Sequence, residues 1–219
     1  MQRGAGGARV WVLRHAERGA GCGFAEPLTA AGRAQAAGAV REALARVPRL
    51  QAVYSSPFRR CLETAEPFVA ERGLLTRVDY SLCEHPDPPG EGPAPRALPA
   101  EWEQEFSLDA GYCSVFRAEA LALAGNASGA QLRQRVVPFL REVATRLVEE
   151  EDGGEGTGEA RRGDGERPSI LLVTHQSVCH QLIGLDRGLD VRALDAGYQG
   201  RPEVMDFPVG GLTELKRPL

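Results

Sequence analysis

The sequence predicts an α/β domain: a three-layer sandwich with a mostly parallel central sheet and helices on both faces. Three observations carry this expectation. The runs Val10-Trp11-Val12-Leu13 and Ile170-Leu171-Leu172-Val173 are apolar at every position, as strands buried on both faces of a parallel sheet are. Other segments carry apolar or small residues every third or fourth position, the period of one helix face. The two kinds of segment alternate along the chain, which is the pattern of strand–helix–strand units.

Taken in order, Arg9–Arg14 reads as the first strand, followed by a Gly-rich loop from Gly19 to Gly23. Leu28-Thr29 opens a helix whose inner face is read as Ala30, Ala34, Ala37, Val40, Leu44 and Val47. Ala52-Val53-Tyr54 is a second short strand. Ser56-Pro57 looks like a helix start, with Ser as N-cap and Pro at the first helical position. That helix is expected to reach about Arg72, with a kink at Pro67. Leu74–Tyr80 is a third strand. Six prolines between His85 and Pro99 exclude a helix or central strand there. Glu101–Phe116 reads as an irregular or helical insertion, and Gln131–Glu149 as a helix with Leu132, Val136, Leu140, Val143 and Leu147 on one face. Ser169–Thr174 is a fourth strand, Ser177–Leu185 a helix, and Gly210–Leu215 a candidate edge strand.

At 219 residues the chain has the size of one domain, residues 1–219, able to bury a core without disulfides or metal. Within it, 85–130 reads as an inserted cap-like segment and 150–168 as an acidic, Gly-rich linker loop. Of 26 basic residues only Lys216 is a lysine, which removes a phosphate loop with an internal Gly-Lys pair and disfavours Schiff-base chemistry. The net charge of -4 argues against nucleic acid as a partner. No stretch is long and apolar enough for a membrane span, and the first apolar run is shorter than a signal peptide's core. Five cysteines without a Cys-x-x-Cys pair read as free thiols in a reducing compartment, so a cytoplasmic or nuclear protein is expected.

The residues that follow the strands carry the chemistry. They are Arg14-His15-Ala16-Glu17-Arg18, Ser55-Ser56-Pro57-Phe58-Arg59-Arg60, Leu82-Cys83-Glu84-His85 and Thr174-His175-Gln176. In a parallel sheet these four points share one edge, where ligands of α/β folds bind. Two arginines there would form an anion cradle, since planar guanidinium groups fork onto phosphate oxygens. A neutral imidazole inside it could attack phosphorus, and a second imidazole could stabilise the transition state. A carboxyl group at the mouth could protonate the leaving oxygen. Arg59 is read as a solvated helix-face residue, and Arg18 as either an entrance residue or a surface ion-pair partner. His85 and His180 are read as structural or exposed. A metal site from His15, Glu17, His175 and His180 is disfavoured, because His175 and His180 are five apart rather than the four that aligns ligands on a helix. Trp102 and Phe106 are expected to pack the insertion.

Leu13-Arg14-His15-Ala16-Glu17-Arg18 resembles the Arg-His-Gly signature of the histidine phosphatase superfamily, also called phosphoglycerate mutase-like. Leu28-Thr29 with Gly32 and Gln35-Ala36, Ser55-Ser56-Pro57 with Arg60, Leu82 with Glu84, and Val173-Thr174-His175 are similar to further marks of that family in the same order. The resemblance implies a phosphoglycerate mutase-like fold and a phosphomonoester hydrolase that needs no metal or other cofactor. It implies His15 as nucleophile, Glu84 as proton donor, and Arg14, Arg60 and His175 as ligands of the phosphoryl group, with His175 also catalytic. Ala16 and Gln176 stand where the family often has Gly. A phosphorylated small molecule or a phosphoprotein is the implied substrate. The alternatives are a mutase-type phosphoryl transfer or a catalytically weak phosphoprotein-binding module. The acidic stretch 101–109, without a basic residue, favours hydrolase over mutase.

Overall fold

Residues 8–21, 23–47, 49–84, 96–124, 129–152, 168–188 and 210–216 are described in a computed structural model. The strands are β1 (Arg9–Arg14), β2 (Leu50–Ser55), β3 (Thr76–Val78), β4 (Ser169–Thr174) and β5 (Leu212–Leu215). The helices are α1 (Ala30–Arg46), α2 (Arg59–Arg72), α3 (Trp102–Glu105), α4 (Ala118–Ala124), α5 (Gly129–Asp152) and α6 (Gln176–Asp186). One sheet has the order β3-β2-β4-β1-β5, parallel throughout except for β5, which pairs antiparallel with β1 at the edge.

Alternation along the strands divides the core in two. Trp11, Leu13, Val53, Leu171 and Val173 face α1 and α2, where they meet Val40, Ala43, Val47, Leu62, Phe68 and Val69. Val12, Ala52, Tyr54, Ile170 and Leu172 face α5 and α6, against Leu132, Val136, Phe139, Leu182 and Ile183. The fold is therefore the expected α/β sandwich. β4 lies between β1 and β2, with Arg14 opposite Thr174 and Ser55 opposite Val173. That register brings the chain after β1, after β2 and after β4 to one place.

Several local readings change. Of the expected inner face of α1, Val40 and the capping Val47 are buried and Ala30, Ala34 and Ala37 are exposed, while the Leu44 side chain lies outside the described residues; Gly32, Ala36 and Ala43 are the other buried positions described. An alanine-rich helix offers several equally apolar stripes, and a backbone contact selects among them. Thr29 caps the helix by accepting from the Gly32 N–H at 2.9 Å, and its own N–H reaches the Glu17 carbonyl at 3.0 Å. A Cβ at Gly32 would sit well inside van der Waals contact with that carbonyl. Gly32→Ala should therefore push the Glu17 backbone outward and cost about 1–3 kcal/mol, an overpacking penalty read by thermal unfolding.

Helix α2 begins at Arg59, with Phe58 as N-cap and no side-chain cap; Ser56 does not cap it, because its hydroxyl is used elsewhere. Pro67 lies inside α2, which ends at Gly73 in the left-handed conformation. The third strand is shorter than Leu74–Tyr80, since Tyr80–Leu82 winds into a 3₁₀ turn. Helix α4 had no sequence signal. Helix α5 carries Pro138 inside it and continues to Asp152, so residues 150–152 of the expected linker are helical. The linker's residues 153–167, the proline-rich stretch through 95 and Cys22 fall outside the described residues. Trp102 and Phe106 are buried, Trp102 stacking on Phe24 at 5.4 Å between ring centroids, so they pack the insertion against the core. Arg59 is more than a solvated residue: it pairs with Glu63 and Glu105 and lies over the Trp102 ring at 5.7 Å. Cys61, Cys83 and Cys179 are buried free thiols and Cys113 an exposed one. Among the described residues no helix is long and apolar enough to cross a membrane.

Candidate active site

Strand register builds the centre of the site. The His15 N–H donates to the Thr174 carbonyl at 2.8 Å, and the Ser56 N–H to the Val173 carbonyl at 3.0 Å. His15 and His175 therefore stand side by side at the carboxyl edge, their rings 5.3 Å apart and edge to face. Both are buried, at 4 % and 0 % exposure.

His15 is held in one tautomer. Its Nδ1 lies 2.8 Å from the Ala16 carbonyl, which can only accept, so Nδ1 carries the proton and Nε2 the free lone pair. Burial first, then repulsion from His175 when both rings are protonated and from the Arg60 charge, hold its proton affinity well below the usual imidazole range. At neutral pH its imidazole is uncharged. Ala16 is fully buried and its N–H donates to Thr64 Oγ1 at 3.0 Å. The methyl group is thus accommodated where the related motif often has Gly.

His175, fully buried, has three polar neighbours. Its Nε2 lies 2.8 Å from Ser56 Oγ, its Nδ1 3.1 Å from Glu84 Oε2, and Arg60 Nη2 approaches Nδ1 at 3.2 Å. An ionised carboxylate can only accept, so Nδ1 carries the proton and donates it to Glu84, with Ser56 donating to Nε2 and Arg60 close by as a charge. Phe58 packs edge-on against the same ring at 4.9 Å, while the Arg60 guanidinium covers Phe58 at 4.5 Å. Burial outweighs the Glu84 charge and pushes the His175 imidazole down to about 4.

Arg60 is 2 % exposed and donates through Nη1 to the Gly23 carbonyl at 3.1 Å, which ties the Gly-rich loop to the site. Glu84 is reached from the 3₁₀ turn after β3. Ser177 Oγ donates to its Oε1 at 2.5 Å, and Arg60 Nη2 lies 3.8 Å from Oε2. Burial opposes its ionisation, but His175, Ser177 and Arg60 overcome this and hold the carboxyl well below its ordinary range. Without a bound anion, Glu84 is the pocket's own negative charge.

The structure therefore brings together His15, Arg60, Glu84 and His175. Arg14 ends β1 half-buried on the Val12 side of the sheet, where its charge reaches Cys179 of α6. Gln176 is exposed at the start of α6. Arg18 turns to the Gly19 and Gly21 carbonyls, Glu17 is exposed and bonds Thr29, and His180 is buried one turn further along α6. His85 is outside the described residues. Sequence reasoning missed Ser56, read as a cap, and Ser177, whose only signal is its place two residues beyond His175.

Ligand atoms of His15, Glu84 and His175 lie within 4.8 Å of one another, so a cation could in principle be held there rather than by Glu17 and His180. The Arg60 charge opposes it. A unit charge at about 4 Å costs on the order of 4 kcal/mol against another in a partly buried site, and twice that against a divalent ion. The same charge favours a dianion.

The titrations also set acid stability. The histidines bind protons less readily folded than unfolded, so stability is full above about pH 6.5 and falls as pH drops towards about 4, through the His175 range. The Glu84 contribution is lost at still lower pH, as its depressed carboxyl takes up a proton. The melting temperature should fall across pH 6.5–4 in the wild type and less steeply in His175→Gln.

A family model described as Histidine phosphatase superfamily (branch 1) matches residues 10–200. No curated protein matches the sequence. Among solved structures, a mycobacterial glucosyl-3-phosphoglycerate phosphatase in complex with inorganic phosphate is similar at 25 % identity, covering 86 % of this chain and 83 % of that one, with a TM-score of 0.54. The ecdysone phosphate phosphatase of Bombix mori, in complex with tungstate, shares the fold at 16 % identity and a TM-score of 0.63, covering 94 % of this chain and 88 % of its own. A putative alpha-ribazole-5'-P phosphatase of Escherichia coli is 24 % identical over 85 % of this chain and 83 % of its own, with a TM-score of 0.50.

Proposed function

Because the chain belongs to the histidine phosphatase superfamily and is a phosphatase, we infer that it hydrolyses phosphomonoesters through a covalent phosphohistidine at His15. The observation that carries this reading is the tautomer. With Nδ1–H spent on the Ala16 carbonyl, the His15 Nε2 lone pair is free and uncharged beside a buried guanidinium and a second imidazole.

In this mechanism the substrate phosphoryl group enters between Arg60, His175 and Arg14; the two guanidinium groups balance its charge as the three equatorial oxygens spread, and His175 supplies a polar contact to it. His15 Nε2 attacks phosphorus in line with the leaving oxygen. As the P–O bond breaks, Glu84 gives that oxygen its proton and becomes a carboxylate. The carboxylate then takes a proton from water, whose oxygen attacks the phosphohistidine, releasing inorganic phosphate and free His15. No metal or other cofactor takes part.

A proton donor must first hold a proton, and Glu84 is ionised in the free pocket. The entering dianion resolves this. It takes over Arg60 and His175 and sets a second negative charge beside the carboxylate, so Glu84 becomes protonated on binding. Calorimetric titration with tungstate, a dianion that carries no proton at neutral pH, should show proton uptake as a dependence of the heat on buffer ionisation enthalpy. Glu84→Gln should abolish the uptake. Binding without uptake in the wild type would count against Glu84 as donor.

The mycobacterial relative acts on a phosphorylated sugar acid, and a phosphorylated small molecule is the substrate class we read for this chain too. Turnover of a panel of phosphorylated metabolites and phosphotyrosine peptides, in wild type and His15→Ala, tests this. Better turnover of the peptides would overturn the small-molecule reading, and binding without turnover would overturn the enzyme reading.

A further inference from the structure

One buried charge near the site has no part in the reaction described above. Arg135, on α5, is 2 % exposed, on the face otherwise formed by Leu132, Val136 and Phe139. Isolating a guanidinium among such neighbours is costly unless it is paired or hydrogen-bonded. Its hydrogen-bond partners are two backbone carbonyls, Nη2 donating to Cys83 at 2.6 Å and Nη1 to Tyr80 at 3.3 Å, and the Glu84 and Asp79 carboxylates act on its charge from nearby. Its Nε has no hydrogen-bond partner among the described residues.

Those carbonyls belong to the turn that delivers Glu84. The intervening Leu82 carbonyl accepts from Thr174 Oγ1 at 2.7 Å, and Thr174 directly precedes His175. At the start of the turn, buried Asp79 accepts from the Ser81 N–H and the Val115 N–H, both at 2.8 Å, and from the Tyr112 hydroxyl at 2.6 Å. The Cys83 carbonyl lies one peptide before Glu84, so Arg135 fixes the backbone from which the carboxyl reaches Ser177 and His175. Asp79, Thr174 and Arg135 thus hold this turn at its start, its middle and its end.

We propose that Arg135 is a positioning residue for the proton donor: its two-carbonyl clamp on the Tyr80–Cys83 turn sets the reach of the Glu84 carboxyl towards the leaving oxygen. This rests on the reading of Glu84 as donor. The clamp acts through geometry, since a planar fork holding two carbonyls fixes the peptide ahead of Glu84 in direction as well as distance. Arg135 itself exchanges no proton and touches no substrate.

The test is leaving-group dependence, measured as kcat/KM so that only steps up to leaving-group loss count. A 2,4-dinitrophenyl phosphate needs no proton to lose its phenolate, whereas phenyl phosphate does. A misplaced donor therefore slows the second substrate and spares the first. Glu84→Gln should raise the dinitrophenyl-to-phenyl ratio by about 10²-fold or more, the scale of general acid catalysis. Arg135→Met should raise it by at least about tenfold. Arg135→Lys, which keeps the charge but reaches only one carbonyl, should lie between Met and wild type. Should the Met variant fail to fold, Arg135→Lys alone decides the matter. Equal losses on both substrates, or an unchanged ratio in a folded Arg135 variant while Glu84→Gln raises it, would overturn the positioning role. An unchanged ratio in Glu84→Gln would instead remove the donor assignment beneath it.

Discussion

His15→Ala should lower the hydrolysis of an aryl phosphate by on the order of 10⁵–10⁶-fold, the scale of losing a covalent nucleophile. Three properties of the residue make the expectation this large. The side chain is buried beside His175, its Nδ1 proton is fixed on the adjacent carbonyl, and Nε2 is the atom left to attack. Nothing at hand replaces it. The hydroxyls of Ser56 and Ser177 are occupied by His175 and Glu84, and burial pushes the Cys61 thiol up, out of its nucleophilic form. The substitution should leave the fold intact, because among the described residues the side-chain hydrogen bond it removes is to the neighbouring residue's carbonyl. Unfolding measurements check that point. Labelled phosphate should remain on the wild-type chain through an alkaline quench and be lost in acid, as a phosphoramidate is, with no label on His15→Ala. Running the assay with chelator present tests the absence of a metal requirement. Near-wild-type turnover in the variant would end the covalent mechanism.

How far the site could be read beforehand depends on whether its parts are local. The four-residue apolar runs of β1 and β4 are local patterns, and each is followed two positions on by a histidine. Once both are parallel strands, placing His15 next to His175 needs only the pairing of Arg14 with Thr174. Arg60 and Glu84 were legible because they follow strands at motif spacing. Ser56 was visible but misassigned. A serine before a proline satisfies helix-capping chemistry as well as it satisfies an imidazole, and only the His175 ring 119 positions away decides between them. Arg135 had no signal. It resembles any arginine on an amphipathic helix, and its function depends on a turn 52 positions earlier in the chain. The inner face of α1 was illegible for a related reason. With alanines all round, the close approach of the Glu17 carbonyl to Gly32 orients the helix, and no periodicity in the helix itself encodes that contact.

Arg60→Ala should be the most damaging change outside the nucleophile, because one guanidinium serves stability and chemistry together. In the resting pocket it sits 3.8 Å from the Glu84 carboxylate and caps the Phe58 ring, at 2 % exposure. Removing one partner of a buried pair costs about 3–5 kcal/mol. Glu84 retains 27 % side-chain exposure and keeps Ser177 and His175, so the loss should fall at or below the low end of that range. The activity should fall further, by about 10³-fold or more, since the cation that balances the transferring phosphoryl charge is gone. A distinctive sign follows from the titrations. Arg60 lowers the proton affinity of Glu84, His15 and His175 alike, so its removal shifts all three upward. His15 then protonates, and loses its lone pair, at a higher pH than in the wild type. The acidic limb of the kcat/KM profile should move towards neutrality in Arg60→Ala, and added guanidinium ion should move it back while restoring part of the rate. Arg60→Lys should lie between the two, keeping the charge without the fork. An Arg60→Ala enzyme within about twofold of wild type, with an unmoved acidic limb, would mean that another cation carries the phosphoryl charge.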